Sequence, residues 1–174
     1  MLTNGIINNY PLVFDPVCVP PFSKSIISGT QNGSRIEFAS LPGRNKNTFD
    51  YSLEFKTHYP DGLLFYASDK GHIDFAALYI KGGKLFFGFN CGSGAALITS
   101  PDSFDDGNWH SVRITRENTV GHLIVDGQNP IIGESSGNTK TLNVISPYYL
   151  GGFDPAIIES AKHNIQVRRV LHFR

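Results

Sequence analysis

Short apolar runs recur along most of the chain, and turn-forming residues separate them. In Tyr51–Lys56 and Val112–Thr115 apolar and polar residues alternate with a period of two, which is typical of a strand with one buried face. The run Leu63–Tyr66 is apolar throughout, which indicates a strand deep in a sheet. Strands are therefore predicted over Arg35–Ala39, Phe49–Lys56, Gly62–Ala67, Asp74–Ile80, Lys84–Cys91, Ala95–Ile98, His110–Arg116, Gly121–Val125, Pro147–Leu150 and Ile165–Phe173.

Tight-turn signals fall between these runs, and no convincing stripe with the helical period of 3.6 accompanies them. Only Pro155–Lys162 is a helix candidate, and it is short. Short strands separated by tight turns predict an all-β fold, an antiparallel sandwich of two sheets. Residues 1–33 contain four prolines and are predicted to be an N-terminal linker or extended lead-in, and residues 34–174 to be the domain. The turn dipeptides are Asp61-Gly62, Gly82-Gly83, Asp106-Gly107 and Asp126-Gly127.

The bulk properties exclude several classes of partner. With 15 basic and 15 acidic residues the chain has no net charge and no global field, so nucleic acid is not an expected partner. No apolar run reaches the 18 or so residues of a membrane helix, so membrane insertion is not expected either. The two cysteines, Cys18 and Cys91, form neither a disulfide framework nor a zinc motif. Met1–Phe22 does not resemble a signal peptide.

One hairpin places a candidate cation site. If Gly82-Gly83 is a two-residue turn, paired residue numbers sum to 165, which sets Asp74 opposite Cys91 at the open end of the hairpin. A carboxylate beside a carbonyl that is free to turn outward is a plausible nucleus for Ca²⁺. On spacing alone, an Asp74 that only starts a strand and hydrogen-bonds its own backbone is the better interpretation.

Eight short stretches of the sequence carry a recognisable family pattern. They are Asp61-Gly62-Leu63-Leu64-Phe65-Tyr66, Asp74-Phe75-Ala76-Ala77-Leu78, Gly83-Lys84-Leu85, Phe89-Asn90, Gly92-Ser93-Gly94, Asp106-Gly107-Asn108-Trp109-His110, Leu123-Ile124-Val125-Asp126-Gly127 and Tyr149-Leu150-Gly151-Gly152. In these stretches the sequence resembles the laminin G-like family, and most of all the G modules of laminin α subunits. Each stretch is weak alone, but together they follow the family's order and spacing over residues 34–152.

The resemblance implies a jelly-roll sandwich of the concanavalin type with a Ca²⁺ site at one rim. The ligands it implies are the Asp74 carboxylate, the Cys91 and Thr141 carbonyls and the Asn143 side chain. Because Asn143 stands where laminin modules often have Asp, the site is expected to be weak, with a Kd of about 10⁻⁴–10⁻³ M. The implied function is a non-catalytic recognition module, secreted into the extracellular matrix as part of a larger protein. It would bind acidic glycans of the α-dystroglycan or heparan sulfate type, or a cell-surface receptor such as an integrin.

Other candidate residues carry structural expectations. Asp102, Asp105 and Asp106 are expected in a solvated loop, and Trp109 is expected to anchor the core. The sequon Asn32-Gly33-Ser34 could be glycosylated in a secreted loop. Lys81, Lys84, Arg113 and Arg116 could contribute a basic surface for heparin-like chains, but Arg113 and Arg116 fall on opposite faces of one strand, which disfavours a single patch.

Two alternatives to a binding module stay open. A structural spacer without a ligand of its own is the first. The second, a jelly-roll glycoside hydrolase, is disfavoured because Glu54 has no acidic residue two positions away on its strand. The family's closing Gly-Cys strand is not found after Gly152, so we expect a C-terminally truncated module. Val167, Val170, Leu171 and Phe173 would then begin the missing strand.

Overall fold

The computed structural model describes residues 12–14, 25–27, 35–40 and 46–165. The other residues, which include Cys18, the sequon at Asn32 and the apolar positions after Ile165, lie outside this description. The strands are β1 (Leu12–Phe14), β2 (Ser25–Ile27), β3 (Ile36–Phe38), β4 (Thr48–Lys56), β5 (Gly62–Ser68), β6 (Phe75–Lys81), β7 (Lys84–Asn90), β8 (Ala95–Ser103), β9 (Trp109–Glu117), β10 (Val120–Val125), β11 (Ile131–Glu134) and β12 (Ile145–Leu150).

The strands form two antiparallel sheets that face each other, so the predicted sandwich is confirmed. The six-stranded sheet has the order β3-β12-β5-β6-β7-β8, and the four-stranded sheet has the order β11-β10-β9-β4. A separate pair, β1 and β2, is also antiparallel, and β1 lies beside β4. Neither of these two short strands was among the predicted ones.

The core between the sheets follows from the period-two alternation. In β9 the inward residues Val112, Ile114 and Arg116 are buried, and Ser111 and Arg113 are exposed on the other face. The inward residues of both sheets form one buried cluster dominated by aromatic rings, among them Phe49, Phe55, Phe65, Phe87 and Phe89.

A second apolar cluster covers the outer face of the six-stranded sheet. It explains why β5 is buried at every position rather than at alternate ones. The segment after β12 supplies the cover: a 3-10 turn at Pro155–Ile157 leads into a single helical turn, α1 (Ile158–Ala161). The short predicted helix is thus present, and Asp154 caps its start by accepting a hydrogen bond from Ala156 N at 2.8 Å.

Three sequence expectations are corrected by the structure. Trp109 is 49% exposed rather than a core anchor, because it opens β9 on the outward face, opposite Lys56. Strand β8 continues to Ser103 through Pro101, which an edge strand tolerates because one side of its backbone has no partner strand. Strand β11 was missed because it is only four residues long. Within the described residues, no helix is long and apolar enough to cross a membrane.

Candidate functional site

The hairpin formed by β6 and β7 fixes the candidate site at one end of the sandwich. Its register pairs Lys81 with Lys84 and Phe75 with Asn90, as the sequence predicted. Asp74 comes directly before Phe75 and Cys91 directly after Asn90, so both stand at the open end of the hairpin. We refer to this end, with the loops that reach it, as the rim.

The side chains of Asp74 and Asn143 meet at the rim. Asp74 Oδ2 accepts hydrogen bonds from the backbone N of Asn143 at 2.7 Å and from its Nδ2 at 3.1 Å. Asp74 is only 7% exposed. Within the described residues it forms no ion pair, so neutral donors hold a largely buried carboxylate. The structure therefore brings together two residues that are 69 positions apart in the sequence.

A tight loop after β7 makes room for the carboxylate. Asn90 Oδ1 accepts hydrogen bonds from Gly92 N at 2.8 Å and Gly94 N at 3.2 Å, which folds the backbone back on itself. Gly92 has φ of +92°, and a Cβ there would lie 2.9 Å from Asp74 Oδ1. Glycine is needed at this position because a side chain would be strained and would crowd the Asp74 oxygen.

The loop that contains Ser136 and Gly137 packs so closely against the loop after β7 that no room remains for a side chain at the two glycines. A Cβ on Gly94 would lie 2.3 Å from Ser136 Oγ, and a Cβ on Gly137 would overlap the Ser93 side chain. The backbone N of Thr139 also donates to Ser93 Oγ at 3.0 Å. The segment that carries Thr141 and Asn143 is therefore held firmly at the rim.

Arg116 lies behind the rim and ties its loops together. The side chain is 1% exposed. Its guanidinium donates to the carbonyl of Asn118, to that of Lys140 at 3.0 Å and to that of Lys46 at 2.8 Å. One of its nitrogens also lies 3.4 Å from Cys91 Sγ. Arg116 thus has a structural role, and it does not contribute to any basic surface.

The remaining predicted site residues occupy the same end. Cys91 has a buried free thiol, whose pKa is raised by burial and by Asp74, against the lowering effect of Arg116. A protonated buried thiol is a poor ligand, so Cys91 could serve a cation only through its carbonyl. Thr141 Oγ1 donates to Asn47 Oδ1 at 3.4 Å. Among the described residues there is no group of three or more His, Cys, Asp or Glu that could hold a metal, and the candidate set contains a single carboxylate.

An unpredicted charge cluster lies at the opposite end of the sandwich. His110 bridges two carboxylates, with Nδ1 2.8 Å from Asp126 and Nε2 3.0 Å from Asp106. Burial lowers the pKa of His110, but hydrogen bonds to Asp126 and Asp106 outweigh it and raise the pKa above 6.5. Hydrogen bonds from the Asn108 backbone and from His110 lower the pKa of Asp106 to about 2. Asp106 lies in an exposed loop, as expected, and it also accepts hydrogen bonds that hold His110 in place. The sequence signal was the Asp-x-x-x-His spacing, which the sequence reasoning did not use.

The other basic residues are dispersed, as the strand periodicity indicated. Arg113 lies on the outward face of the four-stranded sheet and pairs with Asp50, whose pKa it lowers through a hydrogen bond of 2.8 Å. Lys81 and Lys84 flank the glycine turn of the β6–β7 hairpin, at the end away from the rim. No single patch combines them.

Strand β4 carries a second acidic residue that the sequence reasoning on Glu54 left out. Asp50 and Glu54 share the outward face of β4, four residues and therefore about 13 Å apart. Paired glycosidase carboxylates are at most about 9.5 Å apart. The geometry offers no support for a hydrolase at this strand.

Residues 55–171 match the family model described as the laminin G domain. The chain is 33% identical to mouse laminin subunit alpha-4 over 145 residues, which is 83% of the chain and 8% of that protein. It is 37% identical to the mouse basement membrane-specific heparan sulfate proteoglycan core protein over 132 residues, 74% of the chain and 4% of that protein. Among solved structures it is similar to domains LG4-5 of the mouse laminin alpha1 chain, with a TM-score of 0.71 and 24% identity over 81% of this chain and 36% of that one. The chain thus spans less than a tenth of the length of the two relatives named first.

Proposed function

The chain belongs to the laminin G domain family, and from that premise we propose that it is an extracellular, non-catalytic recognition module whose ligand binds at the rim around Asp74. The ligand class that fits best is an acidic glycan of the α-dystroglycan or heparan sulfate type. A cell-surface receptor protein, such as an integrin, is the other partner of this proposal. The relatives reported above are matrix proteins by name, which supports an extracellular location within a larger protein.

The observation that carries the proposal is the buried carboxylate of Asp74 at the rim. Burying a charge without an opposite charge is costly, and among the described residues the hydrogen bonds to this carboxylate come from the two amides of Asn143. Such a carboxylate is suited to a hard cation, because an ion would supply the missing positive charge.

The residues present fit Ca²⁺ by the chemistry of their donors. Asp74 supplies a carboxylate, and the Asn143 amide can turn its oxygen towards an ion in place of its NH₂ group. We propose the carbonyls of Cys91 and Thr141 as the remaining protein ligands. Calcium would supply a positive charge with open positions for the oxygens of an acidic sugar. The proposed site is weak for two reasons. It contains a single carboxylate, and a guanidinium nitrogen of the positively charged Arg116 lies 3.4 Å from Cys91 Sγ behind it.

Two exposed lysines support an acidic ligand. Lys46 and Lys140 stand on neighbouring rim loops, because their backbone carbonyls accept hydrogen bonds from the same Arg116 guanidinium. Both lysines are exposed to solvent. Exposed lysines beside a bound cation would attract the carboxylates and sulfates of a polyanionic glycan.

Calcium-dependent stabilisation tests the cation site. We expect millimolar Ca²⁺, but not the same concentration of Mg²⁺, to raise the Tm of the wild type and not that of Asp74→Asn. Asp102→Asn is the matched control, because it removes an exposed carboxylate at the opposite end and should keep the response. If the wild type gains no stability with Ca²⁺, the cation site is wrong.

Glycan binding is tested on a heparin column with and without chelator. We expect Lys46→Ala and Lys140→Ala to elute at lower salt than the wild type. Lys84→Ala, at the far end of the hairpin, should elute with the wild type. If no variant changes elution, the rim is not the glycan surface, and a spacer without its own ligand becomes the better description.

A further inference from the structure

A cavity of about 440 Å³ opens at the end of the sandwich opposite the rim. It lies between the edge strands of the two sheets, β8 and β11, which face each other. Towards the rim these strands close on each other, since a Cβ on Gly133 would lie 2.6 Å from Ile98. Beyond that contact β8 and β11 separate, and the turn after β10 leaves a space between them. Its volume lies within the range of about 300–1,000 Å³ that is typical of pockets for small ligands.

The floor of this cavity is apolar and its margin is polar. Phe104 and Val125 are buried at the floor, and Ile131 is half-buried at its side. Gln128 and Asn129 line the margin with exposed amide side chains that accept or donate no hydrogen bond in the described part of the chain. An amide offers a donor and an acceptor side by side, which suits a pair of neighbouring hydroxyl groups.

Ser100 supplies a buried hydroxyl group in the cavity wall, and this group already forms two hydrogen bonds within the protein. Ser100 Oγ accepts from Leu85 N at 2.9 Å and donates to the carbonyl of Asp102 at 2.8 Å. The polar recognition must therefore come from the margin and not from the floor.

Charge argues against an anionic ligand here. No ionisable side chain lines the cavity. The sequence has no Lys or Arg between Lys84 and Arg113 or between Arg116 and Lys140, the two stretches that build it. Asp102 and Asp126 adjoin the lining residues, so an acidic sugar would lose its hydration without gaining an opposite charge.

We propose that this cavity binds a neutral pyranose, an uncharged hexose ring such as the terminal residue of a neutral glycan. One C–H face of the ring would pack on Phe104 and Ile131, and vicinal hydroxyl groups would bond to the amides of Gln128 and Asn129. The site is separate from the rim and requires no cation.

The probes are methyl hexopyranosides of the gluco, galacto and manno series, and glucuronic acid is the charged counterpart. Binding of each probe is measured from the changes in the backbone amide chemical shifts of the whole domain. We expect one of the neutral glycosides to give saturable shifts at Gln128, Asn129 and Ile131, with a Kd on the order of millimolar. Glucuronic acid should bind at least about tenfold more weakly, because no cation compensates its carboxylate.

Two variants and two controls separate this site from others. Ile131→Trp should fill the cavity and abolish the shifts, whereas Ile132→Trp, at the neighbouring position that is 65% exposed, should leave them unchanged. Gln128→Ala changes only an exposed amide and should weaken binding at least about fivefold. Asp74→Asn should bind the neutral glycoside like the wild type, which keeps the result independent of the rim.

The absence of saturable shifts with every neutral glycoside would overturn the proposal. So would shifts that persist in a folded Ile131→Trp variant, or equal binding of glucuronic acid. If Ile131→Trp does not fold, the test is the affinity of the Gln128→Ala variant, in which only an exposed residue is changed. An unchanged affinity for the neutral glycoside in that variant also overturns the proposal.

Discussion

Asp74 and Asn143 are joined by two hydrogen bonds to one oxygen, at 2.7 Å from the backbone amide and at 3.1 Å from the side-chain amide of Asn143. The second bond requires that the NH₂ group of Asn143 faces the carboxylate. A carboxylate at position 143 would instead place two negative oxygens against each other. This contact therefore links the stability of the free domain to its affinity for a cation.

Asn143→Asp is expected to destabilise the domain in chelator by roughly 1–3 kcal/mol, because a donor is replaced by a like charge beside a buried carboxylate. The same change is expected to raise the Ca²⁺ affinity by about tenfold or more, since the ion then meets two carboxylates. Urea unfolding in chelator and calorimetric titration with Ca²⁺ measure the two effects.

The matched control is Asn129→Asp, which adds the same charge to an exposed loop at the other end. It should change neither quantity by more than the experimental error. If Asn143→Asp lowers stability without improving Ca²⁺ affinity, Asn143 is a structural partner of Asp74 and not a cation ligand.

The periodicity of the sequence was sufficient to predict the sheets, because burial of one strand face requires alternation. The glycine pair Gly82-Gly83 fixed the register of β6 and β7 without further information. The contact between Asp74 and Asn143 could not be derived in this way, because no local rule relates residues 69 positions apart. Only the family resemblance placed them together.

Arg116 is the second test, because it is a buried cation whose hydrogen bonds go to backbone carbonyls of three separate loops. Arg116→Met is expected to destabilise the domain by about 3–5 kcal/mol, since those carbonyls lose their charged donor and the loops lose their connection. Arg113→Met, three residues earlier, removes an exposed guanidinium that pairs with Asp50, and it should cost less than about 1 kcal/mol.

Denaturant unfolding of both variants provides the measurement. A cost below about 1 kcal/mol for Arg116→Met would mean that the rim loops hold together without the guanidinium. The alternation placed Arg116 on the strand face opposite Arg113 but did not predict its burial, because a fully buried arginine is unusual. No local pattern relates Arg116 to the carbonyls that accept its hydrogen bonds.

The pH dependence of stability is predicted by the cluster of His110 with Asp106 and Asp126. The pKa of His110 is raised in the folded state, so its contribution is complete below about pH 6.5 and is lost as pH rises through the folded pKa. The pKa of Asp106 falls from 3.8 to about 2, so its contribution is complete above about pH 3.8 and is lost as pH falls through 2. The cluster therefore stabilises the fold most between about pH 4 and 6.5.

Urea unfolding of the wild type and His110→Gln from mildly acidic to mildly alkaline pH measures this dependence. The stability difference between them should shrink as pH rises above the folded pKa of His110. An unchanging difference would mean that the pKa of His110 is the same in the folded and unfolded states. The histidine titration by NMR is the independent readout.

Trp109 provides the last test, because sequence reasoning and structure give opposite expectations for it. Trp109 was predicted to anchor the core, yet the alternation in β9 turns it to the outward face, where it is 49% exposed. Trp109→Ala is therefore expected to cost about 1 kcal/mol or less, because much of the ring is already hydrated. Phe55→Ala is the matched comparison, since Phe55 lies one residue from the position paired with Trp109 but is fully buried, and its loss should cost about 3–5 kcal/mol. Chemical denaturation measures the loss of unfolding free energy in the two variants. If Trp109→Ala loses as much stability as Phe55→Ala, Trp109 contributes to the core as the sequence predicted.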